Sequence, residues 1–228
     1  MNRLLSVVFV FISLEACQQN QRTVISDYQY YPIEVGQFQI YEINESIYSI
    51  SSQASTRKYY LKERISEKFS TGSDQFMYKI ERSKRSSQEQ AWKIDSVWTV
   101  ELLTNKIIRT ENNIPYVKLI IPIQTGLIWN KNEYNNFPDQ RVSYNDIGKS
   151  FKFGDKSYPN TISVVIKNDS SLLSKNKNIE VYALNYGMVY KENTNLAYCQ
   201  STPACIGKMQ IDYGKEQTIK LIEMGIEK

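Results

Sequence analysis

Histidine is absent from the 228 residues, and that one gap excludes more than any motif present. Without it there are no Ser-His or Cys-His nucleophile pairs, and the commonest transition-metal ligand is gone. Cysteine is nearly as scarce. The three are Cys17, Cys199 and Cys205, an odd count that leaves one thiol over once a pair has formed. Long hydrophobic runs are missing too. The longest uncharged apolar stretch, Leu4 to Leu14, is eleven residues, well short of the roughly 20 that a helix needs to cross a bilayer. Charge of one sign is also lacking: 28 Lys and Arg stand among 24 Asp and Glu, giving a net charge of +4. Basic residues so diluted do not form the one-sided footprint of a nucleic-acid binder, and nucleic acid is not expected as a partner.

The short apolar run does have a role. Met1-Asn2-Arg3 supplies a positive n-region ahead of it, as in a secretory signal. The small-residue cleavage rule fails, because Ala16 suits position −1 but Leu14 is too large for −3. Leu14-Glu15-Ala16-Cys17 instead resembles the lipobox of bacterial lipoproteins, with a carboxylate at −2 where the pattern has a small or uncharged residue. The resemblance implies cleavage before Cys17 and acylation of Cys17, so that the mature chain is held to a membrane by its N-terminal acyl chains. Gln18 in place of aspartate implies the outer membrane, and the lack of an acidic run after Cys17 implies its periplasmic face. A plain signal peptide with an incidental cysteine is the alternative.

Acylation of Cys17 would resolve the odd count. Cys199 and Cys205 then remain in Cys199-Gln200-Ser201-Thr202-Pro203-Ala204-Cys205. An exported chain favours a disulfide between them. A redox pair and half of a metal site are the competing readings, but the spacing is not Cys-x-x-Cys and further soft ligands are lacking.

The organisation that follows is one domain. Residues 1–16 read as signal, 17–29 as lipidated cysteine and polar tether, and 30–228 as a single all-β domain. Aromatic and β-branched residues begin abruptly at Tyr30. Trp92, Ile94, Trp98, Val100 and Leu102 share one parity while Lys93, Asp95, Thr99 and Glu101 share the other, which predicts a half-buried antiparallel strand. Arg57 to Phe69 reads as a strand although a helical spacing also fits. Pro122 ends a strand over Tyr116 to Ile121. Val142–Ile147 and Phe151–Phe153 read as two strands divided at Gly148, and Lys208–Tyr213 with Gln217–Ile222 as a closing hairpin around Gly214-Lys215. About a dozen strands imply an all-β fold of antiparallel strands, either a barrel or strongly curved sheet, or else a two-layer β-sandwich.

Three segments carry a second resemblance: Tyr31-Pro32-Ile33-Glu34-Val35-Gly36, Pro122 to Asn130, and Glu180 to Lys191. They resemble recurrent segments of uncharacterised cell-envelope lipoproteins of Gram-negative bacteria. This implies an exported, lipidated, β-rich protein, and transfers no catalytic residue and no cofactor.

Two places are candidates for binding. The loop from Trp129 to Asp139 concentrates aromatic rings with amides, in Trp129, Asn130, Asn132 and Tyr134, a mixture suited to glycans; the plainer reading is a turn whose Trp129 packs on the core. Its asparagines and Glu133 lack the acidic 1, 3, 5 pattern and the glycine of a calcium loop. Glu63 and Glu67 fall on the face of Leu61 and Ile65, so in a barrel they would point inward, to hold a ligand or act as acid and base. A bulge or salt bridges would neutralise that role. The expected function is a non-enzymatic envelope lipoprotein, either a carrier of an apolar or amphipathic molecule or an adaptor in an outer-membrane assembly, with a lipid, a glycan or an envelope protein as partner. A carboxylate-dependent glycan hydrolase is the alternative, with Glu133 and Asp139 as the loop pair to test.

Overall fold

The computed structural model describes residues 26–227 apart from 73 and 74. Leu14 to Cys17 and Gln18 therefore lie outside the described residues. After a 3-10 turn at Asp27–Tyr30 come twelve strands: β1 Gln37–Ser49, β2 Ser52–Gly72, β3 Gln75–Arg85, β4 Lys93–Leu103, β5 Lys106–Glu111, β6 Ile114–Ile120, β7 Ile128–Asn130, β8 Arg141–Phe153, β9 Lys156–Ser170, β10 Ser174–Ala183, β11 Gly187–Tyr198 and β12 Ile211–Ile226. The described residues contain no α-helix.

All ladders are antiparallel, in the order β6-β5-β4-β3-β2-β1-β12-β11-β10-β9-β8-β7. Of the two architectures left open by the sequence, this is the curved one: a single sheet wrapped into a nearly closed barrel. The stagger needed for closure is visible in β2, which pairs with β1 through Ser52–Arg64 and with β3 through Tyr60–Gly72. At the seam between the edge strands, Val117 N donates to Lys131 O at 2.9 Å. Tyr144 ties the same edges, its hydroxyl meeting both Ile120 N and Ile120 O at 2.8 Å. Trp129 Nε1 donates to Val117 O at 3.2 Å, and its ring lies 4.6 Å from that of Tyr144.

Alternation along the strands sets what points inward. Ile162, Val164, Tyr182, Val142, Tyr144, Val100 and Ile80 form one buried cluster in the lumen. The opposite face of β10 is buried as well, because the hairpin of β8 and β9 folds back over the outer wall. Phe151, Phe153 and Tyr158 pack there with Tyr190, Val181 and Val189. Lys156 Nζ pins the hairpin by donating to Ile222 O at 2.5 Å. Double-sided burial is why Glu180 to Ala183 is buried without alternation.

Strand alternation also sorts the turns between two ends. At the end where β1 begins, residues 26–36 fold across the mouth. Asp27 Oδ2 accepts from Ile123 N at 2.8 Å, Gln29 O accepts from Asn185 N at 2.7 Å, and Tyr28 donates to Leu103 O. Tyr30 and Tyr31 are buried behind them. Asp27 to Gln29, on the tether side of the boundary read from sequence, are thus bonded to the barrel. Gly36 is held at φ +91, where an added Cβ would lie 2.4 Å from Glu227 O.

Two strand assignments need correction. Val142–Ile147 and Phe151–Phe153 belong to one strand, β8, bent at Asp146 and Gly148, which both have positive φ. The closing hairpin around Gly214 does not form: β12 runs straight through it. Gly214 is there because the neighbouring strand comes close, an added Cβ meeting Asn195 O at 2.2 Å.

Candidate functional site

Charged side chains sit on inward-facing positions of six strands and link into one chain across the lumen. Glu63 on β2 accepts from Arg82 Nε on β3 at 2.9 Å and from Arg109 Nη2 on β5 at 2.5 Å. Arg109 approaches Glu111 at 3.6 Å, and Glu111 approaches Lys118 on β6 at 3.4 Å. Lys118 then meets Glu180 on β10 at 2.9 Å, and Lys191 on β11 meets Glu180 at 2.9 Å. Tyr182 donates to the other oxygen of Glu180 at 2.7 Å. Trp98 lies between two guanidinium groups, 3.4 Å from Arg82 and 4.7 Å from Arg109, cation–π contacts that hold both in place.

Burial alone would raise all three carboxyls, and the cations outweigh it. Arg109 and Arg82 hold Glu63 below the usual carboxylate range. Lys118, Lys191 and Lys131 hold Glu180 well below it. Glu111, facing Lys118 and Arg109, falls to about 2. The cations respond in kind: Lys118 is raised despite burial, by Glu180 and Glu111. Lys131 at the seam is the exception. Among the described residues no carboxylate is in contact with it, and it lies 4.9 Å from the Tyr116 ring; burial, with the charge of Lys118, brings its amine down to about 8.

Chemically, this lumen is a filled polar core. The open space beside the ion pairs is about 90 Å³, room for a few waters and far below the roughly 300 to 1,000 Å³ of pockets that take organic ligands. General-acid catalysis needs a carboxyl kept protonated near neutral pH, and Glu63, Glu111 and Glu180 are all shifted the other way.

Of the residues singled out from sequence, Glu63 does point inward and is 7% exposed. Glu67 does not. A bulge between Ile65 and Glu67 absorbs Ser66 and turns Glu67 outward, where it pairs with Lys79 at 3.6 Å. The structure brings Trp129, Asn130, Asn132 and Tyr134 into one loop, but its amides close on the loop itself. Asn130 Oδ1 accepts from Asn132 N at 3.0 Å and Gln140 N at 2.9 Å, and Asn130 Nδ2 donates to Asp139 at 2.8 Å. Asn132 Nδ2 donates to Pro138 O at 2.7 Å. Trp129 is buried in the seam, while Tyr134 and Glu133 both receive Lys106 Nζ, at 3.2 and 2.8 Å. Glu133 and Asp139 are thereby each engaged by a neighbour. Among the described residues no group of three Cys, Asp or Glu is placed to hold a metal ion.

Cys199 and Cys205 are joined as a disulfide, with Cα atoms 5.7 Å apart, in the connection from β11 to β12. The bridge pins a loop at the end of the barrel remote from the N-terminal segment. Exposed apolar side chains lie at this end of the barrel: Ile206, Met209 and Tyr213 from the loop and its exit, and Leu172 and Leu173 from the turn between β9 and β10. Tyr198 N donates to Leu173 O at 2.8 Å, which joins the two turns.

Sequence reasoning passed over Arg82, Arg109, Lys118, Glu180 and Lys191. A signal was present: Arg109 shares parity with Ile107, and Glu180 with Tyr182, so each is a charge on an apolar face. No protein-family model, no curated protein and no solved structure matches this chain.

Proposed function

We propose that this protein is an outer-membrane lipoprotein, anchored through Cys17 on the periplasmic face, that acts as a non-enzymatic adaptor and docks a protein partner on the far end of its barrel. The observation that carries this is the opposition of the two ends. The chain enters at the mouth crossed by residues 26–36, so an anchor at Cys17 leaves the other end facing away from the membrane. That far end carries Leu172, Leu173, Ile206, Met209 and Tyr213, each half exposed or more, an apolar cluster of the kind that marks interaction surfaces. A carrier is less well supported, because the lumen is ion-paired and leaves only about 90 Å³. A hydrolase is less well supported because the lumen carboxyls are held ionised.

Each half has its own test. A palmitate analogue fed to cells should label the wild-type protein, and Cys17→Ala should abolish both labelling and membrane association; an unlabelled protein that stays membrane-bound in the variant contradicts the anchor. Leu173→Asp with Met209→Asp should leave the melting temperature within a few degrees of wild type, since both side chains are exposed. The pair should shift the solubilised protein from a complex to its own mass on gel filtration. An unchanged elution position contradicts docking at that end.

A further inference from the structure

A second feature of the far end is independent of the anchor and of the apolar cluster. The beginning of β2 and the end of β3 lie side by side, with Tyr60 opposite Arg85 and Leu61 opposite Lys84. This register brings two basic pairs, Arg57-Lys58 and Lys84-Arg85, to one rim. The connection from β3 to β4 then folds beside them and adds Lys93 at the start of β4. Together they border an open cleft of about 520 Å³, within the size range of small-ligand sites.

Its charge is one-sided. Five cations line it against one carboxylate, Asp95. Three of the cations already have partners: Arg57 is bound by Glu45, Lys58 by Glu42 at 2.7 Å and Lys84 by Asp95 at 2.7 Å. Among the described residues, no carboxylate engages Arg85 or Lys93. Arg85 Nη1 donates to Gln88 O at 2.8 Å, while its Nε is buried without a partner. Stacking on Trp92 at 4.2 Å, with Tyr60 at 5.7 Å, holds this guanidinium in place. A donor group so fixed is organised to receive an anion with little loss of side-chain freedom.

The rest of the lining is neutral, with Ser86, Gln90 and Tyr59 beside the apolar Ala91 and Ile94. Gln90 Oε1 accepts from Ser86 N at 3.2 Å, and Gln90, Ser86 and Tyr59 all line the cleft. Neutral donors and acceptors next to two unpaired cations fit a hydroxylated body that bears acidic groups. We propose that this cleft binds an anionic saccharide, one carrying phosphate or carboxylate groups, with Arg85 and Lys93 holding the charge and Ser86, Gln90 and Tyr59 the hydroxyls.

The test is calorimetric titration of the full-length, detergent-solubilised protein with glucose 1,6-bisphosphate, digalacturonate, glucose and pyrophosphate. At least one charged sugar should bind, and which one does separates a phosphorylated from a carboxylated ligand. Glucose should not bind, and pyrophosphate should bind at least about tenfold more weakly than the sugar. Arg85→Gln with Lys93→Gln should weaken sugar binding by about tenfold or more, the loss expected for hydrogen bonds to a charged group. Lys93→Gln alone changes an exposed side chain, keeps the fold, and should weaken binding by about threefold, so the proposal stays testable if the double variant is unstable. Failure of both charged sugars to bind, pyrophosphate binding as tightly as a sugar, or variants that bind like wild type would overturn it.

Discussion

Glu180 is the most consequential side chain in the lumen. It is 1% exposed and meets Lys118, Lys191 and Tyr182 at once. Glu180→Gln keeps the shape and removes the charge, leaving a buried Lys118 against Glu111 alone. Breaking a buried pair from one side costs about 3 to 5 kcal/mol, and urea denaturation should report a loss of that size. Glu67→Gln, on the same strand as Glu63 but outside, should cost under about 1 kcal/mol. The same carboxyls set the response to acid. Their pKa values are lower in the folded state than in the unfolded chain, so the stability they add is present above about 4.5, the ordinary carboxylate value. It is lost as the pH falls, through about 2 in the case of Glu111. Denaturation midpoints should therefore drop steeply between pH 4.5 and 2, and a flat profile would show that the lumen carboxylates are not bound as described. At this scale the sequence was half legible. Parity placed Glu63 inward, but the bulge that turns Glu67 outward depends on how β2 meets β3, which no property of β2 alone reveals.

At the level of the elements, alternation located the faces of β4 from Trp98 onward, but the register slips between Ile94 and Ser96 and leaves Ile94 87% exposed rather than buried; the β-branched run of β9 located a strand buried on both faces. Strand length was not legible. The first residues of β10, Ser174 to Asn178, are polar and only half-buried, yet all of them pair with β11 and Lys175 to Asn178 with β9 as well. Glycine was the other source of error. Gly214 has the composition of a turn, but its role is to let β11 and β12 approach. Gly214→Ala would put Cβ 2.2 Å from Asn195 O at φ +135, so we expect a loss of more than about 1 kcal/mol by thermal or urea unfolding, against a few tenths for Gly72→Ala, where nothing lies within 4 Å. Nearby, the disulfide closes a short loop, for which chain entropy gives about 2 to 3 kcal/mol. It also has a local effect, tying Cys205 and the adjoining Ile206 back to the end of β11.

For the whole molecule, closure was the least legible feature. Two contacts make it: β1 pairs with β12 in the middle of the sheet, with Gln37 opposite Ile226, and the edges β6 and β7 meet at the seam; no local pattern announces the first, whose partners lie at opposite ends of the domain. Closure gives the molecule its polarity: a mouth crossed by the N-terminal segment, a lumen filled by ion pairs, and a far end bearing both the apolar cluster and the basic cleft. Under the proposed anchor at Cys17, the residues between it and Ser26 would span at most about 30 Å if extended, which would keep the barrel close to the membrane with the far end outermost. The most direct measurement is site-specific photo-crosslinking in intact cells, with the probe placed at Met209 or Leu173 on the far end and at Phe153 on the outer hairpin. A discrete protein adduct from Met209 and Leu173, and none from Phe153, is the predicted result. Adducts to lipid alone, or equal labelling from all three positions, would contradict docking through the far end.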